Sequence, residues 1–429
     1  MFINYNKTFQ KIIGFGGAFT DAAGINILSL PLKAQKRLLQ SYFSPEGIEY
    51  NLGRVPMASC DFSTHVYSYD DHPNDTSLLK FVLAEEDLIY KIPFIRAAQE
   101  MSKKKLLMFA SPWSAPAWMK TNNNMTGKGS LIGKPGGIYF KAWAHYFVKF
   151  LEEYKHFNIS FWGLTLQNEP TDGFINKFRF QAMGWTPGMQ RDFIVKDLGP
   201  VLYSYHYDKL KLMIFDDQRP LMSIWAKMIL LDPEIRKYVS GIAVHWYLDL
   251  PYTSNILDIT HNMFPDYFIL GTEACVGSYP WNYPKVALGS WSRAEDYSKD
   301  IIQDLNHWVT GWTDWNIALD LQGGPNWVKN FVDSPIIVNK TKGEFYKQPM
   351  FYILGHFSKF ILPDSVRVNV NNVPQNLDVV CFYRPDKATV LVISNRHGYD
   401  ITFQFGGINK LMTENNSSSS NVNGIRVLY

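Results

Sequence analysis

The chain has 429 residues, 46% of them hydrophobic, which is enough to bury a large core and excludes an intrinsically disordered protein. Its formal net charge of +3 is nearly balanced, and the short basic run Lys103–Lys105, which follows a helical pattern, is interpreted as a solvated face. No role is therefore assigned to nucleic acid. Stretches of about 18 apolar residues are absent from the sequence, which predicts that no helix spans a membrane.

Up to residue 360, short apolar runs alternate with longer stretches of helical periodicity. This alternation is typical of parallel strands joined by crossover helices, and eight repeats predict a (β/α)8 barrel, or TIM barrel. Ile138–Tyr154 and Arg191–Tyr203 have the clearest helical patterns. The eight predicted strands are Ile12–Phe15, Tyr50–Val55, Leu106–Ala110, Phe161–Leu166, Leu212–Phe215, Ile242–His245, Phe268–Gly271 and Trp312–Ile317.

A cluster of glycines, Gly14-Phe15-Gly16-Gly17, follows the start of the first predicted strand. It resembles a phosphate-binding loop, but it lacks both Gly-Lys-Ser/Thr and the full GxGxxG spacing. We therefore predict a tight turn at the barrel rim.

Beyond Phe360 the pattern changes to short strand-like runs separated by turns, which predicts a smaller antiparallel β-sandwich built mainly from the C-terminus. Phe2–Lys11 is predicted to pair with it. We divide the chain into a catalytic barrel at 11–364 and a discontinuous sandwich of 1–10 plus 365–429, with a low-complexity loop at Asn415–Asn421. The predicted strands of the sandwich are Val366–Val370, Val379–Tyr383, Thr389–Ile393, Ile401–Phe405 and Ile425–Leu428.

Two of the predicted barrel strands run directly into a glutamate. FWGLTLQNEP places Glu169 after the fourth strand, and YFILGTEAC places Glu273 at the end of the seventh. Most acidic side chains are solvated surface groups, so either glutamate alone is most simply interpreted as a surface residue without a catalytic role. An ionisable group that closes a buried apolar run is costly, however, and barrel enzymes carry their catalytic groups at strand ends. The pair therefore predicts glycoside hydrolysis by two facing carboxyl groups.

Four more polar residues lie at the ends of predicted strands or just after them and are candidates to support the two glutamates. Gln218, His245 and Tyr247 are placed to orient Glu273 by hydrogen bonds, although a lone strand histidine is also common as a satisfied core group. Arg54 is predicted to stabilise an ionised Glu273 rather than to touch substrate. None of these residues has metal-ligand spacing, so neither a metal nor another cofactor is predicted.

Cysteine and asparagine usage bears on the cellular compartment. The three cysteines, Cys60, Cys275 and Cys381, are too few for a disulfide framework and fit no zinc pattern, so free buried thiols are predicted. Asn-x-Ser/Thr sequons favour a secretory glycoprotein, although Met1–Tyr5 lacks the pattern of a signal peptide. The sequons begin at Asn6, Asn74, Asn124, Asn158, Asn339, Asn415 and Asn416.

A series of motifs in the chain resembles glycoside hydrolase family 30. They are GFGGAFTDAAGINIL, RVPMASCDFS, ASPWSAPAWMKTN, NEP, DDQR, GIAVHWY, TEACVGS, GWTDWN and GGPNWVKNFVDSPI. Each is weak alone, but their order and density over nearly the whole sequence make the resemblance strong, and the long matches at Arg54–Ser63 and Pro325–Phe360 point to the branch that cleaves glucosylceramide. The resemblance implies a retaining β-glucosidase with Glu169 as general acid/base and Glu273 as nucleophile.

By the same resemblance, five residues are expected to bind the glucose: Asp61, Trp113, Asn168, Trp315 and Asn330. Asn168 lies beside the acid/base and can hold the sugar 2-hydroxyl; its alternative role is to cap the turn before Pro170. Asp61 alternatively forms a structural ion pair with Arg54. The resemblance implies that Trp315 is a wall of the pocket. The alternative role of Trp113, Trp315 and Asn330 is to pack the core or the loops.

The resemblance also implies partners and a compartment. The expected substrate is glucosylceramide at a membrane surface, reached through aromatic loops at the barrel mouth, with a saposin-type activator protein, in the lysosome or secretory pathway. Two departures from the family are expected: a short or incomplete N-terminal part of the sandwich, and Gln167 where close relatives place a glutamate. Two rival functions stay open: another family 30 β-glycosidase that acts on a soluble glycan or a different glycolipid, and an inactive carbohydrate-binding protein on the same scaffold. Oligomeric state is not predicted.

Overall fold

The computed structural model describes residues 1–249, 252–403 and 426–428. Its largest unit is a closed barrel of eight parallel strands in chain order, which confirms the predicted (β/α)8 barrel. A longer strand, β1 (Phe2–Lys11), precedes it. The barrel strands are β2 (Gly14–Ala18), β3 (Leu52–Met57), β4 (Leu107–Pro112), β5 (Phe161–Thr165), β6 (Lys211–Gln218), β7 (Val239–His245), β8 (Phe268–Glu273) and β9 (Val309–Asn316).

Helices connect the barrel strands, and both of the predicted helices are present. Ile138–Tyr154 lies in the fourth helix, and Arg191–Tyr203 lies in a helical segment from Pro187 to Ser204 that contains a π-helical turn at Ile194–Leu198. The helices are α1 (Asp21–Leu28), α2 (Leu32–Phe43), α3 (Ile92–Met101), α4 (Ile138–His156), α5 (Pro187–Phe193), α6 (Gly199–Ser204), α7 (Met222–Leu230), α8 (Ser254–Met263), α9 (Trp291–Asn306) and α10 (Pro349–Ser358).

The glycine cluster lies within the first barrel strand, so the predicted tight turn at the rim is wrong. Gly14–Ala18 form β2 and pair with β3 and β9. A Cβ on Gly16 would lie 2.0 Å from the carbonyl oxygen of Leu52, and one on Gly14 would lie 2.1 Å from the Asn51 side chain. Glycine is required because neighbouring chain segments come too close for a side chain.

The barrel interior changes from apolar to polar along the strands. Its apolar layer consists of Leu52, Phe109, Met213, Ala243 and Leu270. Two residues further along β3, β4 and β8 stand Arg54, Ser111 and Thr272, which are also fully buried. Because side chains alternate along a strand, these polar groups face the same interior, nearer the carboxyl ends of the strands.

A bulge in β6 decides which of two adjacent aspartates faces the interior. The pairing of β6 with β7 shifts between Phe215 and Asp217, and Phe215 and Asp216 have φ angles of 77° and 62°. Strict alternation from Met213 would turn Asp217 inward. The bulge instead turns Asp216 into the interior and leaves Asp217 hydrogen-bonded to Thr171.

The C-terminal unit contains a sheet of five strands in the order β1-β13-β14-β15-β16. The pairs from β1 to β15 are antiparallel, whereas β16 is parallel to β15. Predicted strand Ile401–Phe405 is not a strand over residues 401–403 and otherwise lies outside the described residues. The boundaries of the two predicted domains stay a prediction. The strands after the barrel are β10 (Leu319–Asp320), β11 (Ile336–Asn339), β12 (Glu344–Lys347), β13 (Val366–Asn371), β14 (Asp378–Tyr383), β15 (Thr389–Ser394) and β16 (Arg426–Leu428).

The cysteines are buried, whereas most of the described sequon asparagines are exposed. All three cysteines are free and buried, as predicted. None of the helices in the described ranges is long and apolar enough to cross a membrane. Asn339 is buried and donates to the Tyr346 hydroxyl, and Asn415 and Asn416 lie outside the described residues. The exposed sequon asparagines are Asn6, Asn74, Asn124 and Asn158.

Candidate active site

Glu169 and Glu273 face one another at the carboxyl rim of the barrel. Glu273 is the last residue of β8. Glu169 follows β5 with a left-handed φ of 42°, and its N–H donates to the Asp216 carbonyl oxygen at 2.9 Å. A carboxylate oxygen of each glutamate lies within 4.8 Å of the other. Both line a cavity of about 140 Å³, so a small group placed there can contact both carboxylates.

Arg54, on β3, is fully buried and connects the two sides of this site. Its Nη1 donates to Glu273, and its Nη2 donates to Asp216 and Asn168 at 2.9 Å each. The alternative ion pair with Asp61 is therefore not the one that forms. The contact between Arg54 and Glu273 is the one predicted to stabilise an ionised carboxylate.

Asp216 is a central carboxylate that the sequence analysis did not select. It accepts hydrogen bonds from Arg54, from His245 at 3.0 Å, and from the Thr165 and Thr272 hydroxyls at 2.6 and 2.7 Å. Burial raises the pKa of Asp216, but the charges of Arg54 and His245 outweigh burial and hold that pKa well below its ordinary value. Asp216 therefore stays ionised and balances the two cations.

Gln218 and His245 contact Glu169 rather than Glu273, the partner predicted for them. The Gln218 amide donates to Glu169 Oε1 at 2.6 Å, and His245 Nδ1 lies 3.3 Å from the same oxygen. The Tyr247 hydroxyl does contact Glu273, donating to its Oε1 at 2.8 Å. Each glutamate thus has its own set of donors.

His245 adds a second cation to the site. Burial lowers its pKa, but the charges of Glu273 and Asp216 outweigh burial and raise the pKa of His245 to about 10. Burial likewise raises the pKa of Glu273, and the charges of His245 and Arg54 act against that rise. An anionic Glu273 therefore depends on these two neighbours.

For Glu169, the neighbouring groups outweigh the effect of burial on the pKa. Burial raises its pKa, but the hydrogen bond and charge of His245, with a hydrogen bond to Asp172, leave the pKa of Glu169 below its ordinary value. Taken alone, this direction does not make Glu169 the protonated member of the pair of glutamates. Burial and the charge of Glu169 raise the pKa of Asp172, three residues further along the chain, to about 10.

Trp113 and Trp315 form an aromatic wall of the cavity. Their rings stack with centroids 5.2 Å apart and planes at 22°. The Arg54 guanidinium lies 5.1 and 5.4 Å from the two ring centroids. The wall offers an apolar surface of the kind on which the hydrophobic face of a sugar packs.

Asp61 and Asn330 line the same cavity and contact each other. Asp61 Oδ2 accepts hydrogen bonds from Asn326 and Asn330 at 3.0 and 3.1 Å. Burial raises the pKa of Asp61 to about 7, against the two amide hydrogen bonds that lower it. Asn168 is buried behind this lining, where its Oδ1 accepts from Arg54.

The cavity also contains residues that sequence analysis missed. Phe62, Cys275, Ser278 and Val332 fall inside the motifs quoted above, whereas Phe180 lies on a connecting segment where no spacing indicates a site. Only burial around the cavity identifies them. The missed lining residues are Phe62, Phe180, Cys275, Ser278 and Val332.

Two groups of side chains in the described ranges have donor atoms close enough for a metal ion. One is Glu169, His245 and Glu273, and the other is Asp249, Asp300 and Asp304. The first contains the cationic His245 and faces Arg54, and Arg219 already bonds to two members of the second. A protonated imidazole cannot ligate a metal, and a resident guanidinium repels one, so neither group favours a metal site.

The second group anchors the loop that carries Tyr247. Arg219, which is buried, donates to Asp249 on that loop and to Asp304 on α9. Burial and repulsion from Asp300 raise the pKa of Asp304 to about 8, although Arg219 lowers it. Folded Asp304 therefore keeps a proton over a pH range in which the unfolded chain releases it.

This proton makes the free energy of unfolding fall as pH rises from about 4 to about 8, because the folded state binds more protons in that window. Asp304→Asn removes the titration but keeps an oxygen for Arg219. The free energy of unfolding of the variant minus that of the wild type is expected to increase by on the order of 1–3 kcal/mol from pH 5 to pH 8. Urea unfolding at both pH values measures it. Asp266→Asn, at an exposed position, serves as the control, and a difference that does not change with pH would contradict this role.

Hydrolysis of a glycosidic bond is a reaction that two facing carboxyl groups at the rim of a (β/α)8 barrel can perform, and the chain is a glycoside hydrolase. Residues 12–361 match the glycosyl hydrolase family 30 TIM-barrel domain, and residues 364–422 match the family 30 beta sandwich domain. The chain therefore belongs to glycosyl hydrolase family 30.

Known proteins resemble the chain over most of its length. Lysosomal acid glucosylceramidase of Mus musculus is 54% identical over 397 residues, 92% of this chain and 77% of the mouse protein. The crystal structure of SrfJ from Salmonella typhimurium has a TM-score of 0.85 at 29% identity, over 92% of this chain and 85% of SrfJ. An endo-beta1,6-glucanase structure has a TM-score of 0.83 at 24% identity, over 92% of this chain and 87% of that one, which shows the shared fold.

Proposed function

We propose that the chain is a retaining β-glucosidase that hydrolyses glucosylceramide to glucose and ceramide. The observation that carries the proposal is the approach of a Glu169 oxygen and a Glu273 oxygen to within 4.8 Å across one cavity. Retaining enzymes hold their two carboxyls about 5 to 5.5 Å apart, whereas inverting enzymes need room for a water between them.

Glu273 acts as the nucleophile in this proposal. Its carboxylate attacks the anomeric carbon and forms a glucosyl ester as the bond to the ceramide oxygen breaks. Arg54 and the Tyr247 hydroxyl each donate to Glu273 and favour its anionic form. Both contacts also fix the direction from which the carboxylate attacks.

Glu169 acts as the general acid and then as the base. It protonates the departing ceramide oxygen, and in the second step it takes a proton from the water that attacks the glucosyl ester. Gln218 and His245 hold the Glu169 carboxyl in place in both steps. Esterification removes the negative charge of Glu273, which lowers the pKa of Glu169 and favours its carboxylate form when it must act as base.

Glucose is proposed to lie against Trp113 and Trp315, with Asp61, Asn168 and Asn330 on its hydroxyls. The tryptophans supply the apolar wall, and Asp61 with Asn330 presents polar atoms to the same cavity. Because Arg54 uses Oδ1 of Asn168, the amide nitrogen is the end of that side chain suited to the sugar 2-hydroxyl. A cavity of about 140 Å³ is matched to one sugar ring rather than to a long glycan.

Product analysis tests the substrate and the stereochemistry. We expect the purified chain to release glucose from glucosylceramide, with the β-anomer appearing first in proton NMR spectra. Equal or faster turnover of a soluble β-glucan, xylan or other glycolipid would favour the rival family 30 activity. Binding of glucosides without any glucose release, even with acidic lipid and detergent, would favour the inactive carbohydrate-binding alternative.

A membrane surface is the proposed source of the substrate, because ceramide is a bilayer lipid. The loops after β7 and β8 carry Tyr252, Trp281 and Tyr283, which are 88%, 74% and 91% exposed. Aromatic side chains of this kind prefer the membrane–water interface. The mouse relative and the sequons support a place in the lysosome or secretory pathway, and the resemblance supports a saposin-type activator, whose addition is expected to raise turnover.

Replacing Trp281 and Tyr283 together by alanine is expected to lower turnover of glucosylceramide in acidic vesicles about tenfold, as loss of about 1.4 kcal/mol of membrane binding would. Turnover of a soluble aryl β-glucoside should stay unchanged, because neither residue lines the cavity. Tyr203→Ala on α6, which removes an exposed aromatic ring elsewhere, is the matched control. Equal losses on vesicles and on the soluble substrate would count against membrane contact through these loops.

A further inference from the structure

We propose that Lys120 is a positioning residue for substrate binding, because its buried amino group holds the segment 179–182 in place and thereby fixes Phe180 as one wall of the cavity. The inference rests on the proposed function, since it takes this cavity as the glucose site. Lys120 is not among the residues that line the cavity, so it acts on the sugar only through Phe180.

The amino group of Lys120 joins two loops at the carboxyl end of the barrel. Lys120 lies in the loop after β4 and is 1% exposed. Its Nζ donates to the carbonyl oxygen of Met125, in the same loop, at 3.1 Å, and to that of Ala182, in the loop after β5, at 2.5 Å. The Ala182 N–H also donates to the Met125 carbonyl oxygen at 3.0 Å. The lysine therefore binds the two loops where their backbones meet.

Lysine is a costly choice at this buried position. Both acceptors are main-chain carbonyl oxygens, and among the described residues no carboxylate pairs with Lys120. Burial, with no opposing charge, lowers the pKa of Lys120 to about 7. The ammonium form and the neutral amine both have enough N–H groups for two carbonyls. An apolar side chain of similar length would fill the space without burying an amino group, so the two directed hydrogen bonds are what lysine adds.

The segment 179–182 is anchored on its other side as well. Gln181 Oε1 accepts a hydrogen bond from Trp327 Nε1 at 3.2 Å. Trp327 lies three residues before Asn330, whose side chain lines the cavity. Phe180 lies between the two anchors and packs against the apolar cluster that contains the aromatic wall. Release of either anchor should therefore free Phe180 to move away from the cavity.

Lys120→Met tests the proposal, because methionine has a similar length and removes both hydrogen bonds. We expect KM for an aryl β-glucoside to rise about tenfold and kcat to change by less than about threefold, because a wall of the cavity contacts the sugar in the ground state and the transition state alike. Lys128→Met, at an exposed position of the same loop, is the matched control and should behave as the wild type. Circular dichroism and thermal unfolding measure whether each variant folds.

A double-mutant cycle shows whether Lys120 acts through Phe180. Phe180→Ala should raise KM by a similar factor, and adding Lys120→Met to it should raise KM little further. Factors that multiply as for independent sites, or an unchanged KM in Lys120→Met, would overturn the proposal. If Lys120→Met does not fold, Lys120→Gln, which keeps a donor on a shorter side chain, takes its place under the same criteria.

Calorimetry with phenyl β-thioglucoside, which glycosidases of this kind do not readily cleave, measures the positioning effect without turnover. Its Kd should rise about tenfold in Lys120→Met, and equal Kd values in the variant and the wild type would overturn the proposal. A wild type that binds the thioglucoside but cleaves no β-glucoside would refute the proposed function alone, because the ratio of Kd values would still decide the role of Lys120.

Discussion

Glu273→Gln is expected to abolish turnover and to leave the fold intact, with kcat lower by a factor on the order of 10⁴ to 10⁶. Glutamine has the shape of glutamate; its amide oxygen can accept from Arg54 in the place of Oε2, and its NH2 group, in the place of Oε1, can donate to the Tyr247 hydroxyl oxygen, so the site stays hydrogen-bonded. An amide oxygen without negative charge does not attack the anomeric carbon. Glucose release from glucosylceramide measures the loss, and circular dichroism with thermal unfolding measures the fold.

A trapping experiment separates this result from general damage. A fluorinated glucoside inhibitor that reacts with the nucleophile should label the wild type at Glu273, as mass spectrometry of the digested protein can establish, and should not label Glu273→Gln. Glu234→Gln, at an exposed position of a surface turn, should behave as the wild type. A fully active Glu273→Gln, or a label on another residue, would end the assignment of the nucleophile.

The barrel could be predicted because its strands are buried on both faces. A parallel strand covered by helices on one side and by the barrel interior on the other reads as an uninterrupted apolar run, and all eight runs are strands. The predicted strand ends differ from the observed ones by at most three residues. β2 begins at Gly14 rather than Ile12, because glycine is used where chains approach closely and hides the strand pattern.

The contacts of the candidate site could not be predicted from the same pattern. Arg54 reaches Asp216 and Glu273 across the barrel, at sequence separations of 162 and 219 residues, and no local spacing encodes those pairs. Asp216 was missed for a second reason. The bulge in β6 reverses the alternation that would have pointed Asp217 inward, and a bulge at a strand end has no reliable sequence signal.

Glu169→Ala is expected to separate the two chemical steps. Glucosylceramide hydrolysis should fall by about 10²- to 10⁴-fold, because the departing oxygen is no longer protonated. With a dinitrophenyl glucoside the first step needs no acid and should stay fast, whereas the second step lacks its base. The leaving group should therefore appear in a burst while the glucosyl ester on Glu273 accumulates, which stopped-flow absorbance and intact-protein mass spectrometry can follow.

Azide identifies which glutamate has been removed. In Glu169→Ala it needs no general base, so it should attack the accumulated ester, restore turnover and give β-glucosyl azide with retained configuration. In the companion variant Glu273→Ala, azide would occupy the place of the nucleophile and attack the substrate directly, giving α-glucosyl azide. The two products distinguish the roles because one arises from two displacements at the anomeric carbon and the other from one. Exchange of the two products between the variants would reverse the assignment of acid/base and nucleophile.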